Sequence, residues 1–265
     1  MTKLEITTAH DLVGDIPYST FLLYGPNGGG KTRFASTFPL PYFFVPRLST
    51  NELKTLAHTD TPVIIFEDIK DMADKFTMFA KAIRSGEIDD CVTVVVDNLT
   101  AIQFQAQQEL EEQLGRPLQF QDWGKFTKLF TGMLKAFHEL PCHVIWIAHS
   151  KMITTDGEAV GGFTLTGKSN QLFPNYADFI LYCDVRDRGA LGQEHFVNLV
   201  TKKLWVSRVR IDEERVSQLK GGKLPDKIPN HYDDLAELLG WQLCEEVESR
   251  VLGPADEEED DAQDE

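Results

Sequence analysis

The chain has 265 residues, of which 42% are hydrophobic, and its formal net charge is −16. This length and composition suit one large α/β domain with a packed core, and no apolar run approaches the ~20 residues that a membrane-spanning helix needs. The four cysteines form no Cys-x-x-Cys pair, which argues against a disulfide or metal framework and favours a reducing, cytoplasmic location. We therefore expect no membrane partner.

Much of the negative charge lies in one segment. Residues 256–265 carry eight acids and no base, which leaves 34 acids against 26 bases, a net charge of −8, for the rest of the chain. Such a segment is too charged and too poor in apolar residues to form a core. We predict a disordered acidic tail over residues 254–265, which is a solubilising tail, an interaction tail or a mimic that competes with nucleic acid for a basic groove.

The first predicted strand, residues 20–24, leads into Gly-Pro-Asn-Gly-Gly-Gly-Lys-Thr at residues 25–32, and a helix is predicted over residues 31–37. This is the strand–loop–helix context of the phosphate-binding loop G-x-x-x-x-G-K-[ST]. Backbone N–H groups of such a loop surround phosphates, the lysine contacts the β- and γ-phosphates, and the hydroxyl binds Mg²⁺. We expect ATP and Mg²⁺ as cofactors and a catalytic role for Lys31. The predicted ATP-binding residues are Gly25, Pro26, Asn27, Gly28, Gly29, Gly30, Lys31, Thr32 and Arg33.

Apolar runs alternate with helical patterns along the next hundred residues. Because these runs are apolar at consecutive positions, they suit parallel strands that are buried on both faces. The alternation predicts an α/β fold with a mostly parallel, doubly wound sheet. The predicted strands are residues 42–45, 62–66, 92–96 and 143–148, and the predicted helices are residues 70–84, 98–114 and 122–139.

Two of these strands end in polar residues. The strand over residues 92–96 is followed by Asp97, which matches the Walker B pattern, so we predict that Thr32 and Asp97 hold Mg²⁺. The alternative is that Asp97 or Asn98 only caps the next helix. The strand over residues 143–148 ends at His149, which is predicted either to sense the γ-phosphate or only to cap the strand end.

The residue that activates water is harder to place. Many related ATPases carry a glutamate at the end of the strand that follows the phosphate-loop helix, but here that strand continues as Val-Pro-Arg-Leu-Ser. The next acids along the chain are Glu52, Glu67 and Asp68. Glu67 follows the predicted strand over residues 62–66 and is our candidate for the role. Hydrolysis that is slow, uses another residue or is absent stays an alternative.

The pattern changes after residue 150. Residues 151–170 are polar, rich in Gly and Thr, and long for a plain connection, which predicts a functional mobile loop. The strands that follow would extend the sheet as an antiparallel meander. They are predicted at residues 179–183, 195–200 and 203–211, followed by an irregular segment at 220–230 and a short helix at 233–241.

Four features, taken in order, resemble the short RecA/RadA-like P-loop ATPases encoded by bacteriophages, often described as AAA-domain nucleotide-binding proteins. They are the phosphate loop, the strand that ends at Asp97, Gln-Asp-Trp-Gly at residues 121–124 opening a helix, and residues 139–149. The resemblance covers roughly residues 15–215 and extends to Sak-type recombination or single-strand annealing ATPases. It implies a RecA-like fold, nucleotide-dependent binding of single-stranded DNA, a role in phage recombination, and a homo-oligomer working beside a single-strand-binding protein.

The resemblance also implies site residues. In RecA-like proteins the mobile segments after the fourth core strand touch DNA, and this maps to residues 151–170. Arg208 and Arg210 resemble a Lys-x-Arg pair that reaches the γ-phosphate of the neighbouring subunit. Residues 201–227 hold eight bases against four acids, and an aromatic ring in a Gly-rich loop would have little core to join. The predicted DNA contacts are Lys151, Phe163, Lys168, Lys202, Lys203 and Trp205, with a solvated strand face and a core tryptophan as the alternative for the last three.

We divide the chain into an N-terminal segment (residues 1–14), a RecA-like ATPase core (15–215), a C-terminal extension with a short helix (216–253) and the acidic tail. Two other functions stay open. A non-hydrolysing, ATP-switched recombination mediator or helicase loader fits the missing acid after the second strand. A small-molecule P-loop kinase is less favoured, because no arginine-rich lid is visible.

Overall fold

The computed structural model describes residues 18–155, 158–166, 169–202 and 205–241. The strands in these residues belong to one sheet with the order β10-β8-β7-β1-β5-β4-β2-β3, while β6 pairs with β5 and β9 pairs with β7. The strands are β1 Thr20–Gly25, β2 Pro41–Pro46, β3 Val63–Phe66, β4 Thr93–Val96, β5 His143–Thr155, β6 Glu158–Phe163, β7 Phe179–Asp187, β8 Gln193–Asn198, β9 Arg208–Val209 and β10 Lys227–Pro229.

Helices cover both faces of the sheet. The helices are α1 Lys31–Ser36, α2 Ile69–Ser85, α3 Leu99–Leu114, α4 Trp123–His138, α5 Ser169–Tyr176, α6 Glu213–Gln218 and α7 Tyr232–Leu239, with 3-10 helices at Arg47–Leu56 and Gly189–Leu191. Buried side chains of α2, α3 and α4 pack in one hydrophobic cluster. Those of α1, the first 3-10 helix and α7 pack in a second cluster. Within the described residues, no helix is both long enough and apolar enough to cross a bilayer.

The sheet is parallel at its centre and antiparallel at one end. Six adjacent strands run parallel to one another, in the order β7, β1, β5, β4, β2 and β3. β8 is antiparallel to β7, and β10 is antiparallel to β8. Every residue of β1 and β4 is buried, as expected for strands covered on both faces. The predicted fold class, a mostly parallel α/β sheet with late antiparallel strands, is therefore confirmed.

The strand order brings the candidate site residues to one edge of the sheet. β5 lies between β1 and β4, so one strand separates the phosphate loop from Asp97. The pairing of β1 with β5 ends where Gly25 faces His149. The loop after β1, Asp97 and His149 therefore meet at the carboxyl edge of the parallel strands, where ligands of open α/β sheets bind.

The long polar segment after residue 150 differs from its prediction. β5 continues past the main sheet and pairs antiparallel with β6, from Ser150 opposite Phe163 to Thr155 opposite Glu158. Residues 169–176 then form α5. The β-branched residues of this segment favour extended pairing, and this local preference does not depend on a hydrophobic period. The predicted mobile loop is instead largely a hairpin followed by a helix.

The last part of the chain also differs in detail. The predicted strand over residues 203–211 is reduced to the two residues of β9, and the predicted irregular segment contains β10. β10 pairs with β8, and Tyr232, Leu235 and Leu239 of α7 pack in the second cluster. This part of the predicted extension shares the sheet and core of residues 15–215. The predicted boundary at residue 216 stays a prediction, and the segments at 1–14 and 254–265 lie outside the described residues.

The amino edge of the parallel strands is closed by hydrogen bonds. The Ser19 backbone N–H donates to His143 Nδ1 (3.1 Å), and the Thr20 backbone N–H donates to Asp178 Oδ2 (2.9 Å). His143 is buried and stacks on Trp241, with ring centroids 5.7 Å apart. Burial lowers the pKa of His143 to about 4.

Candidate nucleotide site

The phosphate loop packs closely against β7 and β8. A Cβ atom on Gly25 would lie 2.0 Å from the carbonyl oxygen of Cys183 on β7. Gly30 has φ +87°, and a Cβ there would lie 2.7 Å from Asn230 Nδ2 and 2.9 Å from His195 Nδ1. Glycine at these two positions is therefore required by backbone conformation and by close approach, as a phosphate-binding loop demands.

Lys31 is buried at the base of this loop. Its Nζ donates to the carbonyl oxygens of Gly25 (3.1 Å) and Pro26 (2.8 Å). Burial lowers the pKa of Lys31, while Cys183 and Asp97 act in the opposite direction. A desolvated ammonium group held only by carbonyl oxygens is well placed to exchange them for phosphate oxygens.

Asp97 and Thr32 lie together, as the Walker B prediction requires. The Thr32 hydroxyl donates to Asp97 Oδ2 at 2.6 Å. The other carboxylate oxygen, Oδ1, is buried and has no hydrogen-bond partner among the described residues. Burial, together with Glu52, raises the pKa of Asp97 to about 7, although the Thr32 hydroxyl lowers it. A hydroxyl and a carboxylate with a free oxygen fit Mg²⁺, which takes one or two protein ligands beside phosphate and water.

Asn98 resolves the alternative reading of Asp97. The Asn98 side chain accepts a hydrogen bond from the Ala101 backbone N–H at 2.7 Å and is the N-cap of α3. Asp97 is therefore free of the capping role. Among the described residues, no group of three or more His, Cys, Asp or Glu side chains is arranged to hold a metal ion.

Glu52 is the acid that the structure brings to this site. Asn98 Nδ2 donates to both carboxylate oxygens of Glu52, at 3.0 and 3.1 Å, and His149 Nε2 lies 3.7 Å from one of them. His149 Nε2 is also 3.2 Å from Asn98 Nδ2. Burial, followed by the charge of Lys31, lowers the pKa of His149 and favours its neutral form. Glu52, Asn98 and His149 thus form one polar cluster beside Asp97.

Glu67, our candidate for activating water, lies elsewhere. It follows β3, the outermost strand on this side of the sheet, and its side chain is 58% exposed. Its carboxylate pairs with Arg47 at 2.7 Å. Glu52 reaches the site because the 3-10 helix Arg47–Leu56 leads the chain back along α1 after β2. Glu52 is the first acid after β2 in the sequence, but its spacing from β2 does not show that the chain returns to the site.

A cleft of about 450 Å³ joins these groups. Its walls come from the phosphate loop, the first 3-10 helix, β5 and β8. The lining residues are Asn27, Gly28, Gly30, Lys31, Thr32, Arg33, Asn51, Glu52, Lys54, Thr55, His149 and His195. His195 carries no pattern in the sequence that would have singled it out, because its strand reaches the loop only through the sheet.

The sequence profile of a protein family described as an AAA domain matches residues 3–211. The chain belongs to this AAA domain family. With its phosphate loop, it is an AAA-type P-loop ATPase domain.

Solved structures similar to this AAA domain are distant. A KaiC-like protein from the hyperthermophilic archaeon Pyrococcus horikoshii is 15% identical, with a TM-score of 0.42 over 73% of this chain and 82% of that one. An ATPase of the type III secretion system of pathogenic bacteria is 12% identical, with a TM-score of 0.40 over 62% of this chain and half of that one. The comparison with curated proteins found no match to this chain in sequence.

The two predicted inter-subunit arginines of the AAA domain lie at the opposite edge of the sheet. Arg208 faces Ile180 near the start of β7, whereas the phosphate loop follows the end of β1. Its guanidinium donates to the carbonyl oxygens of Pro174 and Ala177. Arg210 pairs with Asp178 at 3.0 Å. Both side chains therefore have partners within the same chain, and their role in a neighbouring subunit stays a prediction.

The predicted DNA contacts of the AAA domain do not form one exposed surface. Phe163 packs edge-on against Tyr24, with ring centroids 5.8 Å apart. Trp205 stacks on Tyr182, with centroids 5.2 Å apart and the planes 5° from parallel. The expectation that Phe163 would find little core to join is wrong, because the hairpin brings it back beside β1.

The predicted basic contacts are also engaged or lie outside the described residues. Lys202 pairs with Asp226 at 2.5 Å. Lys151 Nζ donates to the Leu165 carbonyl oxygen at 3.4 Å. Lys168 and Lys203 lie outside the residues that the structure describes. Contact of these lysines with DNA stays a prediction.

Proposed function

We propose that this domain binds ATP with Mg²⁺ at the phosphate loop and hydrolyses it, with Glu52 as the group that activates water. One observation carries the proposal. The ammonium of Lys31, which is bound to carbonyl oxygens, and the carboxylate of Glu52 line the cleft, and Asp97, with its free oxygen, lies directly behind the lining residue Thr32. Lys31 and Asp97 are suited to a charged ligand, and Glu52 is suited to accepting a proton from water.

The residues divide the work of phosphoryl transfer. The Gly-rich backbone would hold the phosphates, and Lys31 would leave the Gly25 and Pro26 carbonyls to contact the β- and γ-phosphates. Thr32 and Asp97 would hold Mg²⁺, which when bound neutralises charge on the phosphate oxygens. Asn98 fixes the Glu52 carboxylate through hydrogen bonds to both of its oxygens, so that it can orient the attacking water and take its proton.

The comparison of Glu52→Gln with Glu67→Gln tests the assignment of the general base. We expect Glu52→Gln to lower the ATP turnover rate about a hundredfold and leave ATP affinity within about threefold, because general-base catalysis contributes roughly a hundredfold or more. Glu67→Gln is the matched control and should turn over ATP as the wild type does. Loss of turnover in Glu67→Gln alone would restore the prediction from sequence.

We further propose that ATP binding controls binding of single-stranded DNA and that the domain assists recombination or annealing of phage DNA. Support comes from the resemblance and from the hairpin that leaves the sheet directly after His149. The His149 carbonyl oxygen accepts from the Thr164 backbone N–H at 2.7 Å, and the Thr100 hydroxyl donates to the Thr164 carbonyl oxygen at 3.1 Å. A shift of His149 would therefore move both ends of the hairpin.

ATP turnover with and without single-stranded DNA tests this second proposal. DNA-stimulated turnover that is reduced in Lys151→Ala, with unchanged turnover in the absence of DNA, would support it. Turnover that is indifferent to DNA would contradict it. Absence of turnover with ATP-dependent DNA binding intact would favour the non-hydrolysing mediator or loader instead.

Assembly into a homo-oligomer is part of the same proposal. Arg208→Ala with Arg210→Ala should keep ATP affinity and reduce the ATP-stimulated assembly and turnover, if these residues act on a neighbouring subunit. Because both arginines have partners within the chain, thermal unfolding of the double variant must be measured alongside. Wild-type assembly in a folded double variant would contradict the inter-subunit role.

A further inference from the structure

Two side chains from late in the chain converge on the phosphate loop. Asn230 Nδ2 donates to the Gly30 carbonyl oxygen at 3.1 Å, across a sequence separation of 200 residues. His195, on β8, approaches the same glycine and lines the cleft. His195 Nδ1 and Asn230 Oδ1 are buried and have no hydrogen-bond partner in the part of the chain that the structure describes.

These residues stand at one end of the cleft. Asp97 follows β4, Glu52 follows β2 and His149 lies within β5, and these three strands are on the same side of β1. His195 belongs to β8, which lies on the other side of β1, beyond β7. The phosphate loop occupies the middle. A nucleoside triphosphate with its terminal phosphate beside Asp97 would therefore extend its remaining part toward His195.

We propose that His195 contacts the ribose of the bound nucleotide and that Asn230 is a positioning residue which fixes the Gly30 peptide beside it. The inference rests on the proposed function, since it assigns the second end of the same site. An imidazole matches a ribose, because its ring nitrogens can donate to a ribose oxygen or accept from a ribose hydroxyl. The carboxamide of Asn230 touches the loop backbone, so it acts through the loop.

Binding of two ligands separates these roles. Titration calorimetry with Mg²⁺ present would compare ADP with inorganic tripolyphosphate, which has phosphates and no nucleoside. We expect His195→Ala to weaken ADP binding about tenfold and to leave tripolyphosphate binding within about twofold. Asn230→Ala should weaken both ligands by the same factor, because a displaced Gly30 affects every phosphate. Gln193→Ala, an exposed position on the same strand, is the control.

The outcomes are distinct. Equal loss of ADP and tripolyphosphate in His195→Ala, or no loss of either, would overturn the contact with the nucleoside end and leave the nucleotide site itself standing. No loss in Asn230→Ala would overturn its positioning role. His195→Gln, which retains a polar side chain, provides the same comparison if the alanine variant unfolds at a lower temperature. Failure of the wild-type protein to bind either ligand would overturn the proposed function, and this inference with it.

Discussion

The two histidines of β5 lie six positions apart and are treated differently by the fold. His143, at the amino edge, is buried, accepts a hydrogen bond from Ser19 and stacks on Trp241. His149, at the carboxyl edge, has a side chain that is 29% exposed and an Nε2 atom 3.7 Å from Glu52, and its buried Nδ1 has no hydrogen-bond partner among the residues that the structure describes. His143 is therefore part of the packed core at one edge, whereas His149 at the other edge has a ring nitrogen that could still bond to a ligand.

The contrast extends to the neighbouring polar groups. In the described residues, seven buried side-chain polar atoms lack a hydrogen-bond partner, and four of them belong to residues that line the phosphate cleft or hydrogen-bond to its lining residues Thr32 and Gly30. They belong to Asp97, His149, His195 and Asn230. Because a buried polar group without a partner costs about 1–3 kcal/mol, this concentration marks the edge where a ligand completes the structure.

Lys31→Ala should have the largest effect at the carboxyl edge. We expect ATP affinity to fall about a hundredfold or more, because the variant removes a charged hydrogen-bond donor from the phosphates. Stability should not fall, since the buried ammonium has only carbonyl partners. Calorimetric titration with ATP measures the affinity, with Lys81→Ala on α2 as the control. Unchanged affinity in Lys31→Ala would refute the phosphate-loop assignment.

His143 should make the amino edge sensitive to acid. Its folded pKa of about 4 lies below the ordinary histidine value of 6.5, so the unfolded chain takes up the proton first. Stability that is present above pH 6.5 should therefore be lost as pH falls toward 4, by up to about 3 kcal/mol. His143→Asn, which offers an uncharged acceptor to Ser19, should flatten this dependence in urea unfolding. An equally steep loss in the variant would assign the acid sensitivity elsewhere.

Asp97→Asn should reverse the usual direction of a core substitution. The folded pKa of Asp97 is raised to about 7, so ionisation of this group costs stability as pH rises through 7. Removing the charge should stabilise the nucleotide-free protein by about 2 kcal/mol at pH 8 and by less at pH 5. The same variant should lose the stabilisation that Mg²⁺ and ATP give the wild type. Thermal unfolding with and without both ligands measures the two effects together.

Asp178→Ala should have the smallest effect and should be confined to the amino edge. It removes the acceptor of the Thr20 N–H and the partner of Arg210, so we expect a loss of about 1 kcal/mol in the free energy of unfolding. ATP affinity of the folded protein should be unchanged. Weaker ATP binding in this variant would show that the two edges are coupled through β1.

Local sequence signals predicted the site residues that come directly after an apolar strand. The phosphate loop, Asp97 and His149 each follow an apolar strand, and strand ends at one edge of a parallel sheet meet in space. The local pattern did not single out Glu52, because this residue lies on a 3-10 helix whose position beside the site depends on packing. His195 and Asn230 approach Gly30 through sheet pairing, which leaves no trace in a local pattern.

Aromatic residues show the same limit. Phe163 was expected to find little core because its neighbours in sequence are glycine and threonine, and Trp205 was left between a DNA contact and a core residue. Their partners, Tyr24 and Tyr182, belong to other strands, and only the hairpin and the return after β8 bring them together. Local composition therefore gave the wrong environment for Phe163 and could not decide between the two alternatives for Trp205.

The position of β1 has a consequence for synthesis of the protein. β1 is among the first described residues to leave the ribosome, but its neighbours, β5 and β7, begin at His143 and Phe179. Phe21, Leu22 and Leu23, which the finished fold buries completely, stay without their sheet partners while more than half of the chain is made. Such a delay leaves apolar surface exposed on the nascent chain. The hydrogen bond from Asn230 to the Gly30 carbonyl oxygen can form only after residue 230 has been added.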